Sequence, residues 1–169
     1  AVEEDLFEVY YQPVYSIKNK SFITLEALSR LKHPTLGMIP PDVFIGIAEK
    51  QGLISDVGNL QLRRVCRFIK EHEYLMEKIW NVKFNLSPSE LMKTGYSHVL
   101  IGIIQEYGLN PEYFQFEITE SVATEYSESF CTAIDDFAKV GIRMCLDDFG
   151  SGYANLNAVL RIPFSAVKM

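Results

Sequence analysis

From residue 80 onward, segments that favour β-strands alternate with segments that favour helices, and this alternation restricts the fold more than any other feature of the chain. Apolar and β-branched residues dominate four short runs, at 80–86, 113–118, 142–146 and 164–168. Three stretches with helical character separate these runs, at 89–107, 127–140 and 154–160. Strands and helices that alternate at this spacing indicate βαβ units and a mainly parallel sheet.

The first 28 residues favour an antiparallel pair of strands. Residues 7–17 are rich in aromatic and β-branched side chains and predict a strand that is interrupted at Pro13. Residues 22–28 predict a second strand, and Asn19 and Lys20 form the turn between the two. A connection this short makes a hairpin, so the first strand should run antiparallel to the second.

Two helices are predicted between the hairpin and the alternating part of the chain. A loop at 32–41 leads to Pro41, which is a favourable first residue of a helix, and Gly52 ends that helix after Gln51. The next helix is longer, and its apolar residues recur at helical spacing: Leu60, Leu62, Val65, Cys66, Ile69 and Leu75.

Composition and charge exclude several classes of function. The chain has 169 residues, enough for one domain with a core, and a net charge of −6, which argues against binding to duplex nucleic acid. No apolar run approaches the roughly 18 residues that a membrane span requires. The acidic start of the chain lacks the basic region of a signal peptide. The three widely spaced cysteines, Cys66, Cys131 and Cys145, predict reduced core thiols and a cytoplasmic protein.

Four of the predicted strands end in the same pattern, an apolar residue followed by one with a side-chain oxygen. The pairs are Leu25-Glu26, Phe84-Asn85, Phe116-Glu117 and Leu146-Asp147. Because side chains alternate between the faces of a strand, the apolar members should pack on helices while the others converge at the carboxyl ends of the strands. Barrel enzymes keep their active sites at that end. With Asp148 directly beyond, these oxygens predict a hard-ligand site suited to Mg²⁺ or Mn²⁺.

Each of these residues also has an ordinary structural explanation. Any one of them alone could cap the end of its strand without meeting the others. The stretch 147–153, in which two aspartates precede a Gly-Ser-Gly turn, could simply reverse the chain through an Asx-type turn. Carboxylates that directly follow an apolar run nevertheless need a cation or hydrogen bonds to compensate for their burial. Four matching strand ends favour a metal site over four independent caps.

Five ordered blocks resemble those of a known family. They are Tyr-Gln-Pro at 11–13, Glu-Ala-Leu-Ser-Arg at 26–30, Asn-Leu-Ser at 85–87, Glu-Ile-Thr-Glu-Ser at 117–121 and Asp-Asp-Phe-Gly-Ser-Gly-Tyr at 147–153. The second block is the EAL-x-R signature of the EAL-domain phosphodiesterases of bacterial second-messenger signalling. The resemblance implies an α/β fold, a modified TIM-like (β/α)₈ barrel with an antiparallel first strand. It also implies hydrolysis of cyclic di-GMP to linear pGpG with two Mg²⁺ or Mn²⁺ ions.

The resemblance further implies a set of metal ligands. The first ion would be bound by Glu26, Asn85, Glu117 and Asp147. The second would be served by Asp147 together with Asp148. Both ions would act on the water that attacks the phosphate, because bound metals lower the pKa of such a water.

Other residues are implied to act in catalysis or substrate binding. Asp148, Glu120 and Lys168 are the implied catalytic residues, with Glu120 bracing the loop 148–152 and Lys168 near the attacking water. Gln12, Leu28 and Arg30 are implied to bind the substrate, and a forked guanidinium suits a pair of phosphate oxygens. Without the resemblance, Lys168 would be an ordinary surface lysine, and a surface salt bridge would be an equal explanation for Arg30.

The chain departs from the family pattern in its length. A (β/α)₈ barrel needs about 250 residues, whereas this chain has 169 and predicts about six of eight strands. We therefore expect 1–169 to be the N-terminal two-thirds of an EAL domain, without the last two βα units. A further acid for the second metal and a glutamine near the ligand would then be missing. Met169 also stands where an isoleucine and then an aspartate usually follow the lysine.

These departures bear on activity and association. An unclosed barrel exposes strand edges, so we expect a homodimer through those edges and little or no turnover in this form. The family also implies an upstream GGDEF or sensory domain. The alternative function is a catalytically inactive EAL-like module that senses cyclic di-GMP or a protein partner. Retention of all the implied metal ligands favours the enzyme over this sensor, and the ordered blocks disfavour a different metal-dependent barrel hydrolase.

Overall fold

The N-terminal hairpin forms as the sequence predicts. A computed structural model describes residues 6–119, 127–150 and 164–168. Strand β1 (Phe7–Ser16) pairs antiparallel with β2 (Ser21–His33). The predicted interruption at Pro13 is wrong, since β1 continues through it and its register shifts only after Val14. Pro13 is tolerated because β1 lies at an edge of the described sheet, where its missing N–H leaves no ladder bond unmade.

The segment after the hairpin is more ordered than the predicted loop. Strand β2 extends to His33, and a short strand β3 (Gly37–Ile39) pairs back on it. Helix α1 (Pro41–Lys50) begins at the expected proline, and Gly52 follows it with φ 71°, a left-handed conformation that ends a helix cheaply only at glycine. Helix α2 (Ile54–Glu71) follows, as predicted.

The rest of the chain alternates strands and helices. The strands are β4 (Asn81–Asn85), β5 (Phe114–Thr119), β6 (Arg143–Asp147) and β7 (Ala166–Val167). The helices are α3 (Pro88–Leu91), α4 (Tyr96–Glu106) and α5 (Glu128–Val140), with 3₁₀ turns at Glu73–Glu77 and Pro111–Tyr113. The single helix predicted over 89–107 is split into α3 and α4, because Gly95 has φ 77°. The helix predicted at 154–160 lies outside the described residues.

The strands form one sheet in the order β1-β2-β4-β5-β6-β7, with β3 on the side of β2. From β2 to β7 the neighbours along this order run parallel, and only β1 and β3 run antiparallel to β2. Over the described residues the sheet does not close, and β1 and β7 are its outer strands. The expected α/β, TIM-like arrangement with an antiparallel first strand is confirmed.

The apolar residues of the strand ends pack on the helices, as predicted. Phe84, Phe116 and Leu146 are buried in the main core with residues of α2, α4 and α5, and Leu25 is partly buried against it. The Phe116 ring meets the Phe137 ring of α5 edge to face, with centroids 5.0 Å apart. Since these residues face the helices, the residue that follows each of them is directed to the opposite face of the sheet.

Two of the three cysteines belong to this core. Cys66 and Cys145 are buried, whereas Cys131 is exposed on α5, so the expectation of three core thiols is wrong for Cys131. Burial raises the pKa of the Cys66 thiol to about 12 and that of Cys145 to about 11. Among the helices of the described ranges, not one has the length and apolar character that crossing a membrane demands.

Candidate functional site

Three carboxylates from three strands meet at the carboxyl edge of the sheet. Glu26, Glu117 and Asp147 stand on β2, β5 and β6, each directly after a residue that packs on the helices. All three surround the ammonium group of Lys168, whose Nζ lies 3.0 Å from Asp147 Oδ2, 3.2 Å from Glu117 Oε2 and 3.6 Å from Glu26 Oε2. The structure therefore brings three of the four predicted first-site ligands around one cation.

Lys168 is held in this position by backbone pairing. Its N–H donates to the Leu146 carbonyl at 2.8 Å, and its own carbonyl accepts the N–H of Phe149 at 2.9 Å. Burial disfavours the ammonium form, but the hydrogen bond to Asp147 and the charge of Glu117 outweigh it, so the pKa of Lys168 lies above its usual value. Lys168 is thus a charged hydrogen-bond donor at the centre of the carboxylates.

A second lysine, Lys83, contacts the innermost of these carboxylates, and it was not among the predicted site residues. Lys83 Nζ donates to Glu117 Oε1 at 2.6 Å, and the Glu117 side chain is fully buried. Lys83 shares a face of β4 with Asn85, because the two are separated by one residue. That period-two spacing is the signal that could have identified it.

Asn85, the fourth predicted ligand, lies at the entrance of a neighbouring cleft. It is paired in register with Glu117 on β5 and is exposed at the end of β4. The cleft has a volume of about 460 Å³, and its lining includes Asn85, Glu117, Leu28 and Arg30. Arg30 donates to the Ser29 carbonyl at 2.8 Å, and its guanidinium lies 5.7 Å from the Tyr10 ring centroid. Two predicted substrate-binding residues therefore share one cleft with two predicted metal ligands.

The other predicted residues are placed less centrally. Gln12 is exposed on β1 directly opposite Glu26. Asp148 has a left-handed backbone with φ 53° and donates its N–H to Asp147 Oδ1 at 2.9 Å, an arrangement that fixes the orientation of the Asp147 carboxylate. Glu120 lies outside the described residues.

The carboxylates suit a hard divalent cation by their chemistry. Mg²⁺ and Mn²⁺ prefer oxygen ligands, and three carboxylate oxygens already lie within 3.6 Å of one positive charge. Mg²⁺ binds its oxygen ligands at about 2.0–2.1 Å, which is shorter than the 3.0–3.6 Å between these oxygens and Lys168 Nζ. Accordingly, in the ranges that the structure describes, no group of three or more acidic, histidine or cysteine side chains is already close enough to hold an ion.

A buried acid fixes the loop that follows Asn85. The Glu90 carboxylate accepts the N–H of Ser87 at 2.9 Å and the hydroxyl of Tyr96 at 2.7 Å, and it lines the same cleft. Glu90 is only 2% exposed. Burial raises its pKa to about 7, although the two hydrogen bonds oppose this rise. The protonation of Glu90 therefore changes near neutral pH.

Glu90→Gln should stabilise the protein at pH 8 and have little effect at pH 5. Because the pKa is about 7 when folded and 4.5 in the reference state, the folded protein binds this proton more tightly. The stabilisation by the proton is full below about pH 4.5 and is lost as the pH rises through 7. The difference between these two pKa values corresponds to about 3 kcal/mol of stability lost at pH 8. We expect Glu90→Gln to recover about 1–2 kcal/mol of it, because glutamine has one hydrogen-bond acceptor fewer than the carboxylate. Urea unfolding at both pH values measures it, with exposed Glu71→Gln as the control. An equal gain at both pH values would contradict the assignment.

Comparison with known proteins shows which family the chain belongs to. The family model described as EAL domain matches residues 1–169. The cyclic di-GMP phosphodiesterase NbdA of Pseudomonas aeruginosa is 30% identical over 169 residues, which cover all of this chain and 22% of NbdA. The bifunctional diguanylate cyclase/cyclic di-GMP phosphodiesterase MucR of the same organism is 31% identical over 169 residues and is covered to 25%. The chain thus spans a quarter or less of the length of these relatives.

Solved structures share the fold. The PaMucR phosphodiesterase in its c-di-GMP complex superposes with a TM-score of 0.91 at 30% identity, covering all of this chain and 68% of that one. The FimX EAL domain of Pseudomonas aeruginosa bound to c-di-GMP has a TM-score of 0.87 at 24% identity, a likeness of fold alone. The match of the family model over the whole chain, with the sheet and strand ends described above, establishes that this chain belongs to the EAL domain family.

Proposed function

We propose that this chain carries the catalytic face of a metal-dependent phosphodiesterase that hydrolyses cyclic di-GMP to linear pGpG. The observation that supports this most strongly is the convergence of Glu26, Glu117 and Asp147, from three strands, on one cation beside an open cleft. Membership of the EAL family and the names of NbdA and MucR support the choice of substrate.

The proposed metal ligands are those that the strand ends supply. Glu26, Asn85, Glu117 and Asp147 would hold a first Mg²⁺ or Mn²⁺, and Asp147 with Asp148 would serve a second. When bound, the ions supply an activated water at neutral pH and neutralise charge on the phosphate. The chain's own contribution is to place these carboxylates at neighbouring strand ends, with the orientation of Glu117 held by Lys83.

The remaining residues are proposed to orient the substrate and handle its proton and charge. Arg30 would bind a phosphate oxygen pair from the wall of the cleft, beside Leu28, and Gln12 would contact the ligand from β1. Lys168 Nζ, which already donates to carboxylates, would donate to the water or the phosphate. Glu120 is proposed to brace the loop 148–152.

The test is hydrolysis of cyclic di-GMP in Mg²⁺ or Mn²⁺ with products separated by chromatography. It uses this chain and the full-length protein that contains it, with Glu26→Ala as the inactive control. We expect pGpG from the full-length protein and none from Glu26→Ala. If the full-length protein binds the nucleotide but forms no pGpG, it is an inactive sensor instead. An unchanged metal affinity of Glu26→Ala would refute its place among the ligands.

Several wider expectations belong to the same proposal. They are that 1–169 is the N-terminal two-thirds of an EAL domain, that the open edges of the sheet pair in a homodimer, that a GGDEF or sensory domain lies upstream, and that the protein is cytoplasmic. Each of these stays a prediction.

A further inference from the structure

Lys83 occupies an interior position of the site that the proposed mechanism does not use. It lies in the middle of β4, where its neighbours in register are Glu26 on β2 and Gln115 on β5. Its side chain is only 12% exposed. A lysine this enclosed is unfavourable unless a charged partner compensates for its desolvation.

The partner is the innermost carboxylate of the site. Lys83 Nζ lies 2.6 Å from Glu117 Oε1, and Glu117 has no exposed side-chain surface. A buried carboxylate with a hydrogen bond this short has little rotational freedom. Lys83 therefore fixes the orientation of Glu117.

The two oxygens of Glu117 are held by two different lysines. Oε1 is bound by Lys83, while Oε2 points to Lys168 Nζ at 3.2 Å, into the point shared with Glu26 and Asp147. Lys168 is 37% exposed and divides its charge among three carboxylates, so its ammonium group has space to release them and donate to another group. Lys83 is enclosed on a central strand and has no such space. Another cation could therefore replace Lys168 among the carboxylates, whereas Lys83 keeps its position beside Glu117.

We infer that Lys83 is a permanent internal cation that turns a single oxygen of Glu117 toward the metal position and weakens divalent-ion binding there. The inference rests on the proposed function, because it assigns Glu117 to a metal. A fixed positive charge a few ångströms away repels a divalent ion, and this repulsion is strong in a poorly solvated site. The site would thus bind its metal reversibly rather than permanently.

The experiment measures Mn²⁺ affinity by calorimetry and the Tm with EDTA or Mn²⁺, without nucleotide. Lys83→Met removes the charge and the hydrogen bond, Lys83→Gln removes only the charge, and Lys83→Arg keeps both. We expect Lys83→Met and Lys83→Gln to bind Mn²⁺ at least about tenfold more tightly, and Lys83→Arg to stay within about threefold of the wild type. Lys139→Met, on the exposed face of α5, is the matched control and should change nothing.

The thermal data separate a positioning role from a merely structural one. In EDTA, Lys83→Met should lower the Tm by about 10 °C, since Glu117 loses a buried partner, and saturating Mn²⁺ should restore most of that loss. Equal losses with and without Mn²⁺, or an affinity that is unchanged or weaker in Lys83→Gln, would overturn the inference. If Lys83→Met does not fold, Lys83→Gln decides alone. A wild-type protein that binds no Mn²⁺ would instead overturn the proposed metal centre itself.

Discussion

Replacing Glu117 by glutamine is expected to abolish metal binding and hydrolysis together. The substitution removes the charge of Glu117, which is fully buried. Because Lys83 and Lys168 bind different oxygens of Glu117, the amide N–H₂ of glutamine must face one of these two ammonium groups whichever way the amide is turned. Donor facing donor is repulsive, so the side chain cannot keep its orientation. We expect Mn²⁺ affinity to fall by at least about 100-fold, measured by calorimetry, and pGpG formation by the full-length protein to fall by about 1000-fold or more, measured by chromatography.

The control for this variant is Glu128→Gln in the first turn of α5, which removes one exposed carboxylate that does not line the cleft and should retain activity. Circular dichroism checks that Glu117→Gln folds. If the variant folded and bound Mn²⁺ with wild-type affinity, Glu117 would be a structural partner of Lys83 and the proposed site would lose its central ligand.

In the full-length protein, Lys168→Met is expected to reduce kcat by about 10²–10⁴-fold while metal binding persists. Methionine keeps the apolar stem but removes the ammonium that contacts Glu26, Glu117 and Asp147. The carboxylates then lose the cation that holds the metal position, so the affinity for Mn²⁺ should rise. In Lys168→Met, kcat falls while Mn²⁺ binds more tightly. In Glu117→Gln, by contrast, pGpG formation and Mn²⁺ affinity both fall.

Initial rates of pGpG formation at saturating Mn²⁺ and substrate provide kcat, and calorimetry provides the affinity. Lys168→Arg retains the charge in a larger group and should recover part of the rate. A kcat within about fivefold of the wild type in Lys168→Met would exclude proton transfer or charge stabilisation by Nζ.

The strand ends could be predicted from the sequence because two simple patterns coincide there. Alternation of faces places Phe116 on the helices and therefore Glu117 on the other side, and parallel strands align their carboxyl ends. The same reasoning applies to Glu26 and Asp147. Local pattern is sufficient in these cases because the core imposes it.

Other features depend on tertiary context that no local pattern contains. Sequence alone favoured a surface role for Lys168, yet pairing of β7 with β6 brings it among the carboxylates. Lys83 was missed because a lysine within a strand normally indicates a solvated face, and only the position of Glu117 explains its burial. The break at Gly95 was missed because apolar periodicity continues across it.

The uneven burial of the thiols has a practical consequence for spectroscopy. A maleimide dye reacts with an accessible thiolate. Cys66 and Cys145 are buried, and their raised pKa values keep them as neutral thiols, so neither should react. Labelling of this chain should therefore attach a single fluorophore, at the exposed Cys131 of α5. Anisotropy or energy-transfer titrations of nucleotide and metal can then be carried out without engineering the protein first.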